Sequence, residues 1–261
     1  MQNELFSVKN KKILITGASS GLGAHYAEVL AKAGAHLFLL ARRKENLQYI
    51  VTNLQKINPN IEYLVLDITN FDLLQKTIIN LLDKINGIDV LINNAGYSPK
   101  IKKNVFDLEI SDWDDIFDIN LKSMWYLSNI VAKNMQLNSI KGSIINISST
   151  VANRTRIGNP FYGIAKSAVV SLTKKYAVEF AKYNIRVNSI APGFFETDMN
   201  RHFIQTQQGQ EFLERTIPLG RKGNFDELNG VLFLFASSAS SYITGECVFV
   251  DGGYITNSIP N

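Results

Sequence analysis

Apolar residues fall along this chain in short, nearly unbroken runs, separated by longer stretches in which they recur every three or four positions. The runs at 12–16 (KILIT), 35–40 (AHLFLL), 61–66 (IEYLVL), 89–92 (DVLI), 143–147 (SIINI), 185–190 (IRVNSI) and 247–250 (CVFV) read as strands. Several are apolar throughout, as strands covered on both faces are. The periodic stretches near 22–33, 44–57, 70–86, 112–136, 161–183 and 226–238 read as helices. Strand alternating with helix predicts an α/β fold, a Rossmann-like doubly wound parallel sheet of about seven strands with helices on both faces. No repeat, low-complexity tract or linker divides the chain, which predicts one domain over residues 1–261. Residues 193–225 break the rhythm: the segment follows the Pro192-Gly193 turn and carries Phe194, Phe195, Phe203 and Phe212. Such a length suits a substrate-binding lid or, more plainly, a helical excursion packed on the core.

Composition narrows the class. With 46% hydrophobic and 19% charged residues, the 261-residue chain can bury a sizeable core and is not globally disordered. Basic residues exceed acidic ones by only 27 to 23 and are scattered, so there is no nucleic-acid footprint. The lone Cys247 excludes a disulfide framework and a multi-thiolate metal site, and fits a reducing compartment. No stretch approaches the ~18–20 apolar residues that span a bilayer. The opening MQNELFSVKNKK has no apolar segment before a cleavage site, so the expectation is a cytoplasmic protein without a membrane or nucleic-acid partner.

Candidate chemistry begins where the first strand runs into Thr16-Gly17-Ala18-Ser19-Ser20-Gly21-Leu22-Gly23 and then a helix. Glycines at 17, 21 and 23 permit a tight turn and close backbone approach to a pyrophosphate, and the helix N-terminus offers free N–H groups. The second strand ends Leu39-Leu40-Ala41-Arg42-Arg43. An NAD site normally carries Asp or Glu there, whereas neutral Ala41 followed by two arginines suits a 2′-phosphate. The expectation is NADP(H) in preference to NAD, with Arg42 as the main contact and Arg43 or Ser19 assisting. Asp67, at the end of the third strand, is placed to accept from an adenine amino group. Asn93-Asn94-Ala95-Gly96 follows the fourth strand, at an end where ligands gather, although the same four residues are ordinary turn chemistry.

Tyr162 and Lys166 lie four apart, on one face of the helix that follows the fifth strand. A Tyr-x-x-x-Lys pair alone means little, with about 0.7 matches expected by chance in such a chain. Its position adds weight: Ser148-Ser149 close the preceding strand, and Asn120 lies in the helix before that. Together TGASSGLG at 16–23, NNAG at 93–96, Asn120, IINISS at 144–149, YGIAK at 162–166, APGFFETDM at 191–199 and ITGECVFVDGG at 243–253 resemble the short-chain dehydrogenase/reductase family over nearly the whole length. Bacterial 3-oxoacyl-(acyl carrier protein) reductases and generic alcohol/carbonyl reductases look nearest.

The resemblance implies an oxidoreductase that moves a hydride between nicotinamide and a ketone or secondary alcohol. It implies Ser149 as the substrate-polarising group, Tyr162 as general acid/base, Lys166 on the nicotinamide ribose, and Asn120 holding a relay water. It implies a cofactor lined by Gly17, Ser19, Ser20, Gly21, Leu22, Gly23, Arg42, Arg43, Asp67, Ile68, Asn94, Ala95 and Gly96. Tyr162, Lys166, Pro192, Gly193, Phe195 and Thr197 complete the set, and the assembly implied is a homotetramer, a dimer of dimers. Physics supports the central role: a free phenol titrates near ~10, and a neighbouring ammonium favours the phenolate, lowering a pKa by ~1–3 units toward working pH.

Other clusters are weaker. Asp112, Asp114, Asp115 and Asp118 form an acidic helix start that complements the dipole, and His25, His36 and His202 show no ligand spacing, so no metal is expected. Lys100-Ile101-Lys102-Lys103 is an exposed loop or an attractor for an anionic substrate. Arg154 and Arg156, between Ser149 and Tyr162, either meet a carboxylate or phosphate or turn outward. Tyr97 and the phenylalanines of 193–225 suggest an apolar cleft, for a 3-oxoacyl thioester or a small apolar carbonyl compound. Where several carrier-protein reductases place entrance arginines, this chain has Ile140 and Tyr183, with Lys141 and Lys182 adjacent. The alternative is a catalytically silent NADP-binding sensor or scaffold on the same fold.

Overall fold

The computed structural model describes residues 2–99, 103–155 and 160–257. Seven strands form one parallel sheet: β1 (Lys12–Thr16), β2 (His36–Ala41), β3 (Ile61–Val65), β4 (Val90–Asn93), β5 (Ser143–Ile147), β6 (Arg186–Pro192) and β7 (Cys247–Val250). Their order is β3-β2-β1-β4-β5-β6-β7, so the winding reverses between β1 and β4, where open α/β sheets leave a crevice at their carboxyl ends. The helices are α1 (Gln2–Leu5), α2 (Gly21–Lys32), α3 (Lys44–Gln55), α4 (Phe71–Ile85), α5 (Ile110–Phe117), α6 (Ser123–Leu137), α7 (Pro160–Phe180), α8 (Arg201–Ile204), α9 (Gln207–Thr216) and α10 (Asn229–Ala236).

The unbroken apolar runs follow from two cores. Ile13, Ile15, Leu37, Leu39, Val90 and Ile92 face one core, which α2, α3 and α10 close through Tyr26, Leu30, Leu47, Val51, Leu232 and Phe235. The intervening Leu14, Phe38, Leu40 and Leu91 face the other, which α4, α6 and α7 close through Ile78, Val131, Met135 and Tyr176. Both faces of each central strand are therefore apolar, and alternation disappears.

Strand and helix bounds shift by up to three residues from the sequence expectation, with one larger departure. The single helix expected over 112–136 is interrupted by a π-helical turn at Asp118–Lys122, in which Ser123 N–H donates to Asp118 O, five residues back. Asn120 accounts for the turn: its side-chain Nδ2 takes the Ile116 carbonyl at 2.9 Å, the acceptor that an α-helical amide at 120 would use. In 193–225 the structure places α8 and α9 on the core. A third apolar cluster of Ile204, Leu213, Ile217 and Tyr254, flanked by Phe194, Phe203 and Phe212, holds them. No helix among the described residues is long and apolar enough to cross a membrane.

Candidate active site

The carboxyl ends of β1, β4, β5 and β6 bring the sequence motifs to one edge of the sheet. At the β1 end Gly17 has φ +69° and a Cβ there would lie 2.8 Å from Ala95 Cα, so the turn requires glycine twice over. Gly23 is as tightly constrained: its Cβ would fall 2.4 Å from the Gly17 carbonyl oxygen. The two glycine-bearing turns are stitched together by Thr16, whose hydroxyl accepts from Asn94 N–H at 3.1 Å and Ala95 N–H at 3.0 Å. Asn94 Nδ2 returns a bond to the Thr16 carbonyl at 2.9 Å.

Above that floor the helix end is open to an anion. Ser20, at the N-cap of α2, makes no side-chain capping bond; its hydroxyl meets the Arg43 guanidinium instead. The first N–H groups of α2 are thus not spent on a cap, the condition under which a helix N-terminus holds a phosphate. The residues present fit a dinucleotide: a turn without side chains, uncapped helical donors and a cationic flank.

The two arginines divide their work. Arg43 Nε lies 3.3 Å from Ser19 Oγ, over the glycine-rich turn. Arg42 turns away and pairs with Asp67 at 3.2 Å. Asp67 also accepts from the Thr69 amide at 2.9 Å and hydroxyl at 2.8 Å. Burial, the largest single influence, raises the Asp67 carboxyl, but the Thr69 bonds and the Arg42 guanidinium together carry it below its ordinary value. Ile68 is buried beside it and Leu22 packs against the core. Phe195 turns its ring into the core against Phe225 and Gly223, its backbone bridged to Gly223 and its carbonyl accepting from Asn200 Nδ2 at 2.9 Å. Gly193 donates to the Val250 carbonyl at 2.9 Å, and Thr197 lies against Gly21.

At the chemical end Ser149, the N-cap of the turn Thr150–Ala152, hydrogen-bonds the Tyr162 hydroxyl. Lys166 is buried; its Nζ donates to the Ile147 carbonyl at 2.9 Å and lies 5.7 Å from the Tyr162 ring centre. Ser148 is a strand-end brace, its hydroxyl on the Lys166 carbonyl at 2.9 Å. Gly96 sits between the motifs: a Cβ there would be 3.1 Å from Asn120 Oδ1 and 3.6 Å from Lys166 Nζ. The Asn120 side chain is spent on backbone, donating to Tyr97 O at 2.8 Å and to Ile116 O, and accepting from Tyr97 N–H at 3.1 Å.

Acidity in the free chain departs from the sequence expectation. Burial pushes the Tyr162 phenol up to about 12, against the Ser149 hydrogen bond that favours the phenolate. Burial likewise pushes Lys166 down to about 8. Desolvation penalises both charged forms, and the ammonium, engaged by the Ile147 carbonyl, does not draw the phenol down.

Several partners were not singled out from the sequence. Asn93, Ser128, Asn146 and Thr173 form a buried chain of hydrogen bonds at 2.9 Å under the site, and Asp198 lies 3.8 Å from Arg43. Only the burial of polar residues inside apolar runs hinted at the first. Arg154 turns to the Tyr254 backbone carbonyl at 2.5 Å and its ring at 4.4 Å. Arg156 and Lys100–Lys102 lie outside the described residues. Asp112 joins Glu109 in a helix-capping pair and meets Lys103 at 2.8 Å. A separate cleft of about 400 Å³ lies between α2 and residues 222–226. Its charges are paired among themselves, Lys32 with Glu28 and Lys222 with Glu196.

Residues 17–255 match a family model described as enoyl-(acyl carrier protein) reductase. The chain is similar to the 3-oxoacyl-(acyl-carrier-protein) reductase FabG of Thermotoga maritima, 34% identical over 95% of this chain and 99% of that one. It is also similar to gluconate 5-dehydrogenase of Gluconobacter oxydans, 32% identical over 96% of each. Among solved structures, a gluconate 5-dehydrogenase from Burkholderia cenocepacia J2315, in complex with NADP and tartrate, matches with a TM-score of 0.92. Identity there is 30%, covering 98% of this chain and 100% of that one.

Proposed function

The chain belongs to the short-chain dehydrogenase/reductase family of oxidoreductases, and we propose that it interconverts a ketone and a secondary alcohol with Tyr162 as the general acid/base. The observation that carries this reading is the convergence of Ser149, Tyr162 and Lys166 at the carboxyl end of β5, beside the glycine-rich crevice. A bound nicotinamide supplies or accepts the hydride. Tyr162, kept protonated by burial, gives its proton to the carbonyl oxygen as the alcohol forms. Ser149, bonded to that phenol, stabilises the developing alkoxide. Lys166, its Nζ anchored on the Ile147 carbonyl, positions the ribose beside the phenol. Asn120 acts through others: it fixes Tyr97 and the π-helical turn, so it is a positioning residue.

The reading extends to NADP(H) as the preferred cofactor. Supporting it are Ala41, which puts no carboxylate at the end of β2, and Arg43, which reaches across Ser19 and Ser20. The phosphate contact is assigned to Arg43 in place of Arg42, because Arg42 hydrogen-bonds Asp67 at 3.2 Å, whereas Arg43 lies over the glycine-rich turn and its carboxylate neighbour, Asp198, stands off at 3.8 Å. Residues 193–225 act as the substrate segment, with α8 and α9 seated on an aromatic cluster. The substrate is a 3-oxoacyl thioester or a small apolar carbonyl compound, and the working form is a cytoplasmic homotetramer. Nothing in the site favours a silent sensor, since all three chemical side chains are in place. NADPH consumption against a panel of ketones and acyl thioesters tests the enzyme reading. Turnover on at least one is expected, and cofactor binding without turnover on any overturns it.

A further inference from the structure

Every nitrogen of the Arg43 guanidinium has a partner, and the partners lie on two separate segments. Nε and Nη2 meet the hydroxyls of Ser19 and Ser20 in the glycine-rich turn. Nη1 lies 3.8 Å from Oδ2 of Asp198, in the segment that follows β6. The two segments also touch sterically: a Cβ at Gly21 would be 3.7 Å from Thr197 Cγ2. Asp198 has a second cation, Arg201, at 3.4 Å from its other oxygen. Losing Arg43 therefore leaves the carboxylate paired, while losing Asp198 leaves one arm of Arg43 free.

We infer that Asp198 is a specificity-determining residue that restrains the affinity of this chain for 2′-phosphorylated adenosine, by holding the arm of Arg43 that such a phosphate takes. The inference rests on the reading of the β2 end as a 2′-phosphate site. The carboxylate opposes the phosphate in two ways. It neutralises part of the guanidinium that must bind, and it stands as an anion within a few ångströms of the incoming dianion. An adenosine without the 2′-phosphate meets neither effect. Both side chains are about half exposed, so water and salt screen the pair and the effect is modest.

Titration calorimetry of the full chain with adenosine 2′,5′-bisphosphate and with 5′-AMP isolates the contribution of the 2′-phosphate without turnover. Asp198→Asn is expected to tighten the bisphosphate about two- to fivefold and leave 5′-AMP unchanged, with the gain shrinking at high salt. Asp198→Glu, which keeps the charge, is expected to retain the wild-type ratio, and the Asp198→Asn gain is expected to vanish when Arg43→Ala is added. A wild type that prefers the bisphosphate, with an Asp198→Asn variant that matches it or tightens both ligands equally, overturns this inference and leaves the NADP(H) reading standing. A wild type and an Asp198→Asn variant that both bind the two ligands alike overturn the two together.

Discussion

At the nucleotide end of the crevice, backbone packs against backbone; at the chemical end, two half-buried hydroxyl side chains and a buried amine meet one another. Gly17, Gly23, Asn94 and Ala95 are held by steric exclusion and amide hydrogen bonds, and none carries a charge. Ser149, Tyr162 and Lys166 are held by tertiary contacts, and the surroundings shift the acidity of Tyr162 and Lys166. A turn built from backbone recognises what any dinucleotide offers, so its fit is insensitive to pH. A half-buried phenol beside a buried amine is a pair whose state is set by proton concentration.

The largest break in that contrast is Tyr162→Phe. The ring and its packing survive, but the proton donor is gone. Turnover is expected to fall about 10²–10⁴-fold, the range of general acid–base contributions, while NADPH binding measured by fluorescence titration stays within about twofold. Comparable turnover in the variant removes Tyr162 from the mechanism.

The next largest concerns stability. Lys166 titrates near about 8 in the folded chain against 10.5 when exposed. Between those values the unfolded chain binds more protons than the folded one, so the penalty this group places on folding is largest below about 8 and is relieved as pH rises toward 10.5. The stability of wild type relative to Lys166→Met is therefore expected to grow by about 2 kcal/mol from pH 8 to pH 10. Paired denaturant melts at the two pH values measure it. A difference that is flat with pH means that the amine is not desolvated as the structure has it.

The contrast also explains what was legible before any coordinates. Strand order, layers and the glycine-rich turn follow from local rules, since an apolar run or a glycine at a fixed offset means much the same in any context. The chemical residues were legible only through their joint spacing. The sequence alone ranked Arg42 above Arg43 without sight of their partners, Asp67 and Asp198, which lie 25 and 155 positions away in the chain. The π-helical turn was equally hidden: periodicity does not register one asparagine side chain replacing a helical amide. For 193–225 the sequence left a lid and a helical excursion both open, since α8 is a single turn seated on an aromatic cluster that forms only in the fold.

The arginines let the charged flank of the nucleotide end be tested apart from its uncharged turn. Hydrogen bonds to charged groups contribute about 1.5–3 kcal/mol. Arg43→Ala is accordingly expected to cut the NADPH-over-NADH preference by about 10- to 100-fold, and Arg42→Ala by several times less, its guanidinium being shared with Asp67. The reverse ranking in kcat/KM ratios returns the main contact to Arg42.

The smallest effect sharpens the boundary between the two ends. Thr206 caps α9, its hydroxyl accepting from Gly209 N–H at 3.0 Å and donating to the Phe203 carbonyl at 2.8 Å, so one side chain joins α8 to α9. Gly209 packs so closely on Phe203 that a Cβ would lie 2.0 Å from its carbonyl oxygen, which leaves the cap as the adjustable part of that junction. Removing a threonine cap costs about 1 kcal/mol. In Thr206→Ala that loss falls on the substrate segment, loosening the seat of α9 on Phe194 and Tyr254 without reaching Gly17 or Asn94. The KM for the carbonyl substrate is expected to rise by up to about fivefold with NADPH affinity unchanged. A parallel loss of NADPH affinity shows instead that the segment and the glycine-rich turn behave as one unit, through the contact between Thr197 and Gly21.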